Sequence, residues 1–402
     1  MLYFCSRDKI FKSKMKKTLL FLLICFSLFS CSGSRDKSKR SVGVTLSGAG
    51  ATFPYPFYSI VFRDYMRKNP GVRVNYGAIG SGGGIRSLRD KSVDFAASDA
   101  FLNEKETASM GAEVVHIPTC MGGVVLSYTL SGVDSLRLTG ELIADIFMGK
   151  ITRWNDPRLA AENPNVRFPD LEITPVYRSD GSGTTFVFSE YLNKVSPEWN
   201  REMGTGKALK WKAGLAAKGN PGVASIVQLT EGAIGYVGSE YALTLQMPSA
   251  LLKNKAGNYV KATLETISAA AETDLSDDMK LTLTDMPHPH AYPISMLTWL
   301  LVYEDQTYCG HSRQEAEVLV DLLNYIIGPD GQKLAAQVNY VPLPLRAVQK
   351  TQRIINRIHF AGEKLSTAPD PEIAIVNVLS ETETVGDHEK TVLHEKSLVD
   401  ER

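Results

Sequence analysis

The chain has 402 residues, enough by length for two or three domains, each able to bury a real core, so size sets no limit on stability. Lysine plus arginine and aspartate plus glutamate both number 44. A formal net charge of zero removes the broad electrostatic footprint of a general nucleic-acid binder and requires any anion to be held locally.

In chain order, Met15-Lys16-Lys17 followed by the apolar run Thr18 to Phe26 has the basic start and hydrophobic stretch of a secretory signal. The run falls short of the roughly 18–20 apolar residues that a membrane-spanning helix needs. Residues 1–14 precede what reads as the better start. The segment ends in Leu28-Phe29-Ser30-Cys31, which resembles a bacterial lipobox with bulky Phe29 as its least typical residue. Cys31 is then the lipidated first residue of the mature chain; an ordinary cleaved signal with an incidental cysteine is the plainer alternative. Residues 1–31 are thus a leader and 32–44 a short, polar tether. Cys5, Cys25 and Cys31 fall in the leader, and the remaining pair, Cys120 and Cys309, reads as two separate thiols rather than a disulfide framework.

From Val42 the pattern becomes strand, loop, helix: Val42, Val44 and Leu46 alternate, Gly48-Ala49-Gly50-Ala51-Thr52-Phe53 intervenes, and Phe57, Ile60, Val61 and Tyr65 recur at helical spacing. The unit repeats with Val72, Val74 and Tyr76, the loop Gly80-Ser81-Gly82-Gly83-Gly84, then Ile85 and Leu88. Val114 to Pro118 and Gly122 to Leu126 read as two buried strands flanking a crossover. A third unit has Ile173 and Val176, the loop Arg178-Ser179-Asp180-Gly181-Ser182-Gly183-Thr184, then Val187 and Tyr191. Pro293 to Tyr303 supplies a second crossing strand. Two crossings divide the body into one lobe drawn from both ends (45–120 and 294–365) and one from the middle (121–293), with a cleft between them. Residues 366–402 turn polar and acidic, a composition that predicts a disordered tail, with Ile373 to Val378 as the one stretch suited to an added strand.

Each of the three glycine-rich loops opens a helix. Backbone N–H groups at a helix start lack intrahelical partners and sit at the positive end of the helix dipole, so such loops hold anions with few cationic side chains. Loops at the carboxyl ends of parallel strands are also where open α/β sheets bind ligands. Three in one chain point to a small anion with many oxygens.

These loops, in this order, resemble the substrate-binding proteins of bacterial phosphate ABC transporters, the PstS type. The resemblance runs from about Leu46 to Arg357 and rests on Gly48 to Pro54, Asn75 to Gly84, Val93-Asp94-Phe95-Ala96-Ala97-Ser98-Asp99-Ala100 and Arg178 to Thr184. Gly149 to Asp156, Lys218-Gly219-Asn220 and Gly232 to Val237 add to it. The chain departs from the family pattern at Gly82, where a second hydroxyl is often found, at Ser179 in place of alanine, and at Phe101 in place of proline. The resemblance implies an α/β, two-lobed periplasmic-binding-protein-like fold of type II with the ligand cleft between the lobes. It implies phosphate contacts from Thr52, the backbone N–H of Phe53, Ser81, Asp99, Arg178, Ser182, Gly183 and Thr184. It also implies no cofactor and no metal, a membrane-embedded ABC permease as partner, no nucleic acid, and a place in the periplasm or at the cell surface, held by the lipid anchor.

Within that site a phosphate oxygen is a strong acceptor whose removal from water is costly unless hydrogen bonds replace its shell. Arg178 offers a planar fork suited to two oxygens, and Asp180, two residues on, is placed to hold the fork. An isolated pair of this kind is otherwise a surface ion pair worth about 0–1 kcal/mol. Asp99 is useful beside an anion only if that anion carries a proton: an ionised carboxylate accepts from protonated phosphate and repels fully ionised sulfate. The same Ser-Asp pair also fits an Asx turn or a helix cap. Thr52, Ser81, Ser182 and Thr184 each suit plain helix capping as well as ligand binding. His288 and His290 lie in a proline-flanked loop without a further His or Cys cluster and read as solvated.

Two other functions compete. A phosphoester-processing or serine-type enzyme would use the same loops, but none continues into Gly-Lys-Ser/Thr and neither Ser81 nor Ser182 sits in Gly-x-Ser-x-Gly. A binding protein for another tetrahedral oxyanion, or a surface scaffold that kept the fold, uses the same architecture.

Overall fold

The computed structural model describes residues 43–308 and 310–365. The leader with Cys31, the start of the tether, Cys309 and the tail with its 373–378 stretch lie outside the described residues.

The three strand-loop-helix units open the first lobe and anchor the second. β1 (Val44–Gly50), β2 (Val72–Ala78) and β3 (Phe95–Ser98) run parallel, with β1 in the middle. β1 extends through Gly48 to Gly50, so two glycines of the first motif are strand residues and the loop proper begins at Ala51. Their role there is close packing: a Cβ on Gly48 would lie 2.0 Å from the Phe95 ring. The helix Tyr55–Lys68 buries Phe57, Tyr58, Val61, Phe62 and Tyr65 along one face, while Ile60 turns toward its flank.

β4 (Val114–Tyr128) is one continuous strand of 15 residues and replaces the two shorter strands expected from the sequence. Pro118 suggested an interruption because it has no N–H to give a ladder. The strand absorbs it at a bulge, where its register against β12 shifts opposite Thr298 and Trp299. β5 (Arg137–Leu138) belongs to a small sheet with two later strands, and β6 (Thr174–Arg178), β7 (Leu215–Ala217) and β8 (Ala233–Gly238) form the parallel part of the second lobe. β9 (Leu251–Lys253) and β10 (Tyr259–Val260) complete the small sheet with β5. β11 (Leu283–Thr284) pairs with β12 (Ile294–Tyr303), and β13 (His359–Phe360) pairs with β14 (Glu363–Lys364).

The pairing path runs β2-β1-β3-β12-β4-β8-β6-β7. β4 carries it from one lobe to the other, pairing through Val114 to Gly123 with β12 and through Val124 to Tyr128 with β8. Every residue of β4 and β12 is buried, as strands covered on both faces require. Aromatic rings fill each side: Phe53, Phe57, Tyr58 and Tyr340 pack together in the first lobe, Phe147, Phe188, Trp211 and Tyr236 in the second. This is the expected two-lobed α/β architecture. Cys120 is a buried free thiol. Among the described residues no helix is long and apolar enough to cross a membrane.

Candidate functional site

The carboxyl ends of six strands feed one place. Past β1 comes Thr52, past β2 Ser81 and past β3 Asp99; from the second lobe come Arg178 at the end of β6, Asn220 past β7 and Tyr241 past β8. The helices Ser81–Arg89, Gly183–Val195 and Gly219–Leu229 all start there, so the positive ends of their dipoles face a common centre.

The two walls touch backbone to backbone. Gly82 donates its N–H to the Gly181 carbonyl at 2.9 Å. Any Cβ on Gly82 would lie 3.2 Å from the Gly181 Cα, so the paired glycines permit that approach. Gly183 is tighter still: a Cβ there would stand 2.6 Å from the Asp99 Cβ and 2.7 Å from Ser81 Oγ.

Hydrogen bonding then decides which way the hydroxyl protons face. Ser81 Oγ accepts from the N–H of Gly183 at 3.0 Å and from that of Asp99 at 3.3 Å. Thr52 Oγ1 accepts from the Asn220 N–H at 3.0 Å and from its Nδ2 at 3.1 Å. A hydroxyl has two lone pairs and one proton, so with both lone pairs filled each group keeps only its proton to give. Thr184 is spent differently: its Oγ1 accepts from Asn220 Nδ2 at 3.3 Å and donates to Asp99 Oδ2 at 3.3 Å. Tyr241 fixes the same corner by donating its hydroxyl to the Thr52 carbonyl at 2.7 Å.

Arg178, buried, and Asp180, half-buried, form the ion pair of the site. Arg178 Nε and Nη2 reach the two Asp180 oxygens at 2.8 and 2.5 Å, and Nη1 lies 3.5 Å from Thr184 Oγ1. That occupies one edge of the guanidinium and leaves a proton on each terminal nitrogen. Burial alone would raise the Asp180 carboxyl; the Arg178 hydrogen bonds and charge and the Gly219 N–H at 3.0 Å outweigh it and hold it below its ordinary value. The Arg178 backbone is pinned in turn, its N–H donating to the Tyr236 hydroxyl at 3.1 Å.

Asp99 is 2% exposed. Desolvation pushes its pKa up from 3.8 to about 6, against the Thr298 hydroxyl, the Arg178 charge and the Thr184 hydroxyl, which all favour the ion. Thr298 Oγ1 donates to Asp99 Oδ1 at 2.9 Å.

The capping alternative holds for Ser182, whose Oγ accepts from the Thr185 N–H at 3.0 Å, and not for Thr52 or Ser81. Phe53 packs its buried ring edge-on against Tyr340 at 5.3 Å and accepts the Tyr340 hydroxyl on its carbonyl. Phe101, in the loop beyond Asp99, stands edge-on to Phe186 and Trp299. Thr52, Ser81, Asp99, Arg178, Asp180, Ser182, Gly183 and Thr184 therefore lie in one buried network or directly beside it. His288 sits 3.5 Å from Glu272, and among the described residues no group of three His, Cys, Asp or Glu side chains gathers.

Sequence reasoning passed over Asn220, Thr298 and Tyr241 as site residues. Lys218-Gly219-Asn220 is a fourth loop opening a helix, but β7 before it has three residues, two of them exposed, so no hydrophobic alternation marked it. Thr298 had a signal, a hydroxyl between apolar neighbours in a fully buried crossing strand.

The family model of the PBP superfamily domain matches residues 36–330. The phosphate-binding protein PstS of Xylella fastidiosa is 38% identical over 356 residues, covering 83% of this chain and 96% of that protein. The PstS phosphate-binding protein of Pasteurella multocida is 36% identical over 343 residues, covering 84% and 95%. A solved phosphate-binding protein from Stenotrophomonas maltophilia shares the fold, with a TM-score of 0.59 at 19% identity over 77% of this chain and 93% of that one.

Proposed function

The chain belongs to the PstS family of phosphate-binding proteins, and from that premise and the chemistry of the cleft we propose that it captures inorganic phosphate outside the cytoplasmic membrane and delivers it to the permease of an ABC transporter. One observation carries the reading. Thr52 and Ser81 have both lone pairs filled, so their protons and the free edge of Arg178 offer donors to one centre, at the positive ends of three helix dipoles and beside an acceptor, Asp99. A hydrogen phosphate ion has the complementary set of several accepting oxygens and one proton to give.

Thr52, the Phe53 N–H, Ser81, Asp99, Arg178, Ser182, Gly183 and Thr184 are the ligand residues in this reading, with Asp180 supporting Arg178. The Gly183 N–H, engaged by Ser81, reaches the anion by sharing its proton or by a small opening of the walls. Residues 45–120 with 294–365 move as one lobe and 121–293 as the other, closing on the ligand; no covalent step is required. Cys31 is the lipid-bearing residue that tethers the protein to a membrane, an assignment tested by the mass of the mature N-terminal peptide.

Calorimetry on ligand-stripped protein at pH 8 tests the central claim. Phosphate is expected to bind and sulfate to be rejected. Equal affinity for the two, or turnover of a phosphoester by a clean preparation, overturns it.

A further inference from the structure

Resting on the role just given to Asp99, we propose that Thr298 is the positioning residue for phosphate-over-sulfate selectivity, holding the Asp99 carboxylate ionised and oriented at neutral pH.

Thr298 does not line the cleft with the other hydroxyls; it stands behind Asp99 in the crossing strand. Its Oγ1–H points at Asp99 Oδ1 at 2.9 Å, and the residue is fully buried. The β4–β12 register shift falls between Thr298 and Trp299, and bulges beside functional sites commonly re-aim a side chain. The bulge is itself braced. Thr119 Oγ1 donates to the Thr298 carbonyl at 3.3 Å and pairs with the Tyr58 hydroxyl at 3.0 Å, while Gln332 Nε2 donates to the Thr119 carbonyl at 2.9 Å. Three elements thus hold one hydroxyl in place.

The consequence is chemical. A hydrogen bond from a neutral donor to a carboxylate favours the charged form, and among the influences that keep Asp99 ionised against burial, Thr298 comes first, ahead of Arg178 and Thr184. With Asp99 titrating near 6, it stands little more than one pH unit below neutrality. Without the Thr298 proton a large share of Asp99 is neutral at pH 7, and a neutral carboxylic acid is a donor that welcomes sulfate. Arg178 at the end of β6, Asp180 in the loop after it and Glu240 past β8 are the charged or acidic groups whose fields reach Asp99. Glu240 is fully buried and its carboxyl is pushed well up by desolvation, which makes it the rival acid. Burial also raises the neighbouring tyrosines Tyr58, Tyr76, Tyr241 and Tyr340 and the Cys120 thiol, keeping them neutral.

Calorimetric titrations with sulfate and with phosphate between pH 5 and 8.5 test this on the full protein and on Thr298→Val, Thr298→Ser, Asp99→Asn and Glu240→Gln. In the unmodified protein sulfate binding is expected to appear only as pH falls through about 6. Thr298→Val is expected to move that midpoint up by about one unit and to raise sulfate affinity at pH 7 by roughly fivefold. Thr298→Ser, which keeps the hydroxyl, restores the original profile, and Glu240→Gln leaves it in place. A Thr298→Val profile that superimposes on the original, a serine variant that behaves like valine, or a midpoint that follows Glu240 instead overturns the proposal. Should valine prevent folding, Thr298→Ala and the infrared carboxyl band lost in Asp99→Asn report the same protonation. Persistent sulfate rejection in Asp99→Asn would instead strike the Asp99 reading itself, and Thr298's role with it.

Discussion

The two walls of the cleft differ in kind. The first lobe offers the hydroxyls of Thr52 and Ser81 and one carboxylate, Asp99; the second offers the guanidinium of Arg178, already neutralised by Asp180, with Thr184 and Asn220 beside it. Arg178, Asp180 and ionised Asp99 together sum to a negative centre before any ligand arrives. An anion is therefore held by dipoles, hydroxyls and one shared cation rather than by excess positive charge, in line with a chain of zero net charge. On the proposed reading the asymmetry separates two properties: the second wall carries attraction, the first carries discrimination.

Arg178→Ala is the severest way to break that division. It removes the charge-assisted donors and leaves the half-buried Asp180 without its partner, a truncation that typically costs about 2–5 kcal/mol. Phosphate affinity measured by calorimetry is expected to fall by ~30-fold to several thousand-fold. Sulfate is still rejected at pH 8.5, where Asp99 stays ionised even without the Arg178 charge that helps to keep it so. A loss of selectivity in this variant would show that the walls do not divide the work.

Titration of the first wall comes next in size. Asp99 has a folded pKa of about 6 against an ordinary 3.8, a raised value. A raised folded pKa means that the folded protein binds the proton more tightly. The associated stability is fully present below about pH 4 and is lost as pH rises through about 6. The shift corresponds to about 3 kcal/mol at most, at 1.36 kcal/mol per unit. Denaturant midpoints of the ligand-free protein and of Asp99→Asn, followed from pH 4 to 8, are expected to cross, with the asparagine variant gaining relative stability at the higher pH. Parallel curves would place the titration elsewhere.

How far these contributions were legible differs between the walls for physical reasons. Glycine loops that open helices announce themselves through composition, and Thr52, Ser81, Arg178 and Thr184 all lie in or beside such loops. The unbroken β4 did not, because Pro118 reads locally as an interruption and only its pairing with β12 shows how a bulge accommodates it. Asn220 was hidden by the brevity of β7, and the meeting of Gly82 with Gly181 is a contact between loops about a hundred residues apart that no local pattern encodes. Sequence marked what each wall offers; folding decided which lone pairs were already taken.

Gly183→Ala sharpens the comparison by forcing the walls apart without altering a charge. The added methyl would meet Asp99 Cβ at 2.6 Å and Ser81 Oγ at 2.7 Å. Overpacking of this sort costs about 1–3 kcal/mol, so phosphate binding is expected to weaken by roughly 5- to 150-fold. At pH 5, where sulfate also binds, phosphate and sulfate affinities should fall in parallel if only the fit is disturbed. A selective change in one of them would mean that Asp99 has been turned.

The smallest effect belongs to a strap outside the donor set. Lys207, in the second lobe, reaches Glu106 at 2.5 Å and the Phe101 carbonyl at 3.4 Å, both in the loop and helix that follow Asp99. Lys207 is 12% exposed and Glu106 24%, so the pair is partly shielded from salt. Glu106 also accepts the Asn103 N–H at 3.0 Å in a capping box, and it remains anchored when the lysine is removed. Lys207→Met keeps most of the stem and deletes only the cross-wall bond, at a cost of about 1 kcal/mol or ~5-fold in affinity. Because the bond exists only when the walls are together, stopped-flow measurements are expected to place the change in the phosphate release rate. A capture rate that falls instead would make Lys207 part of the approach path rather than of the closed state.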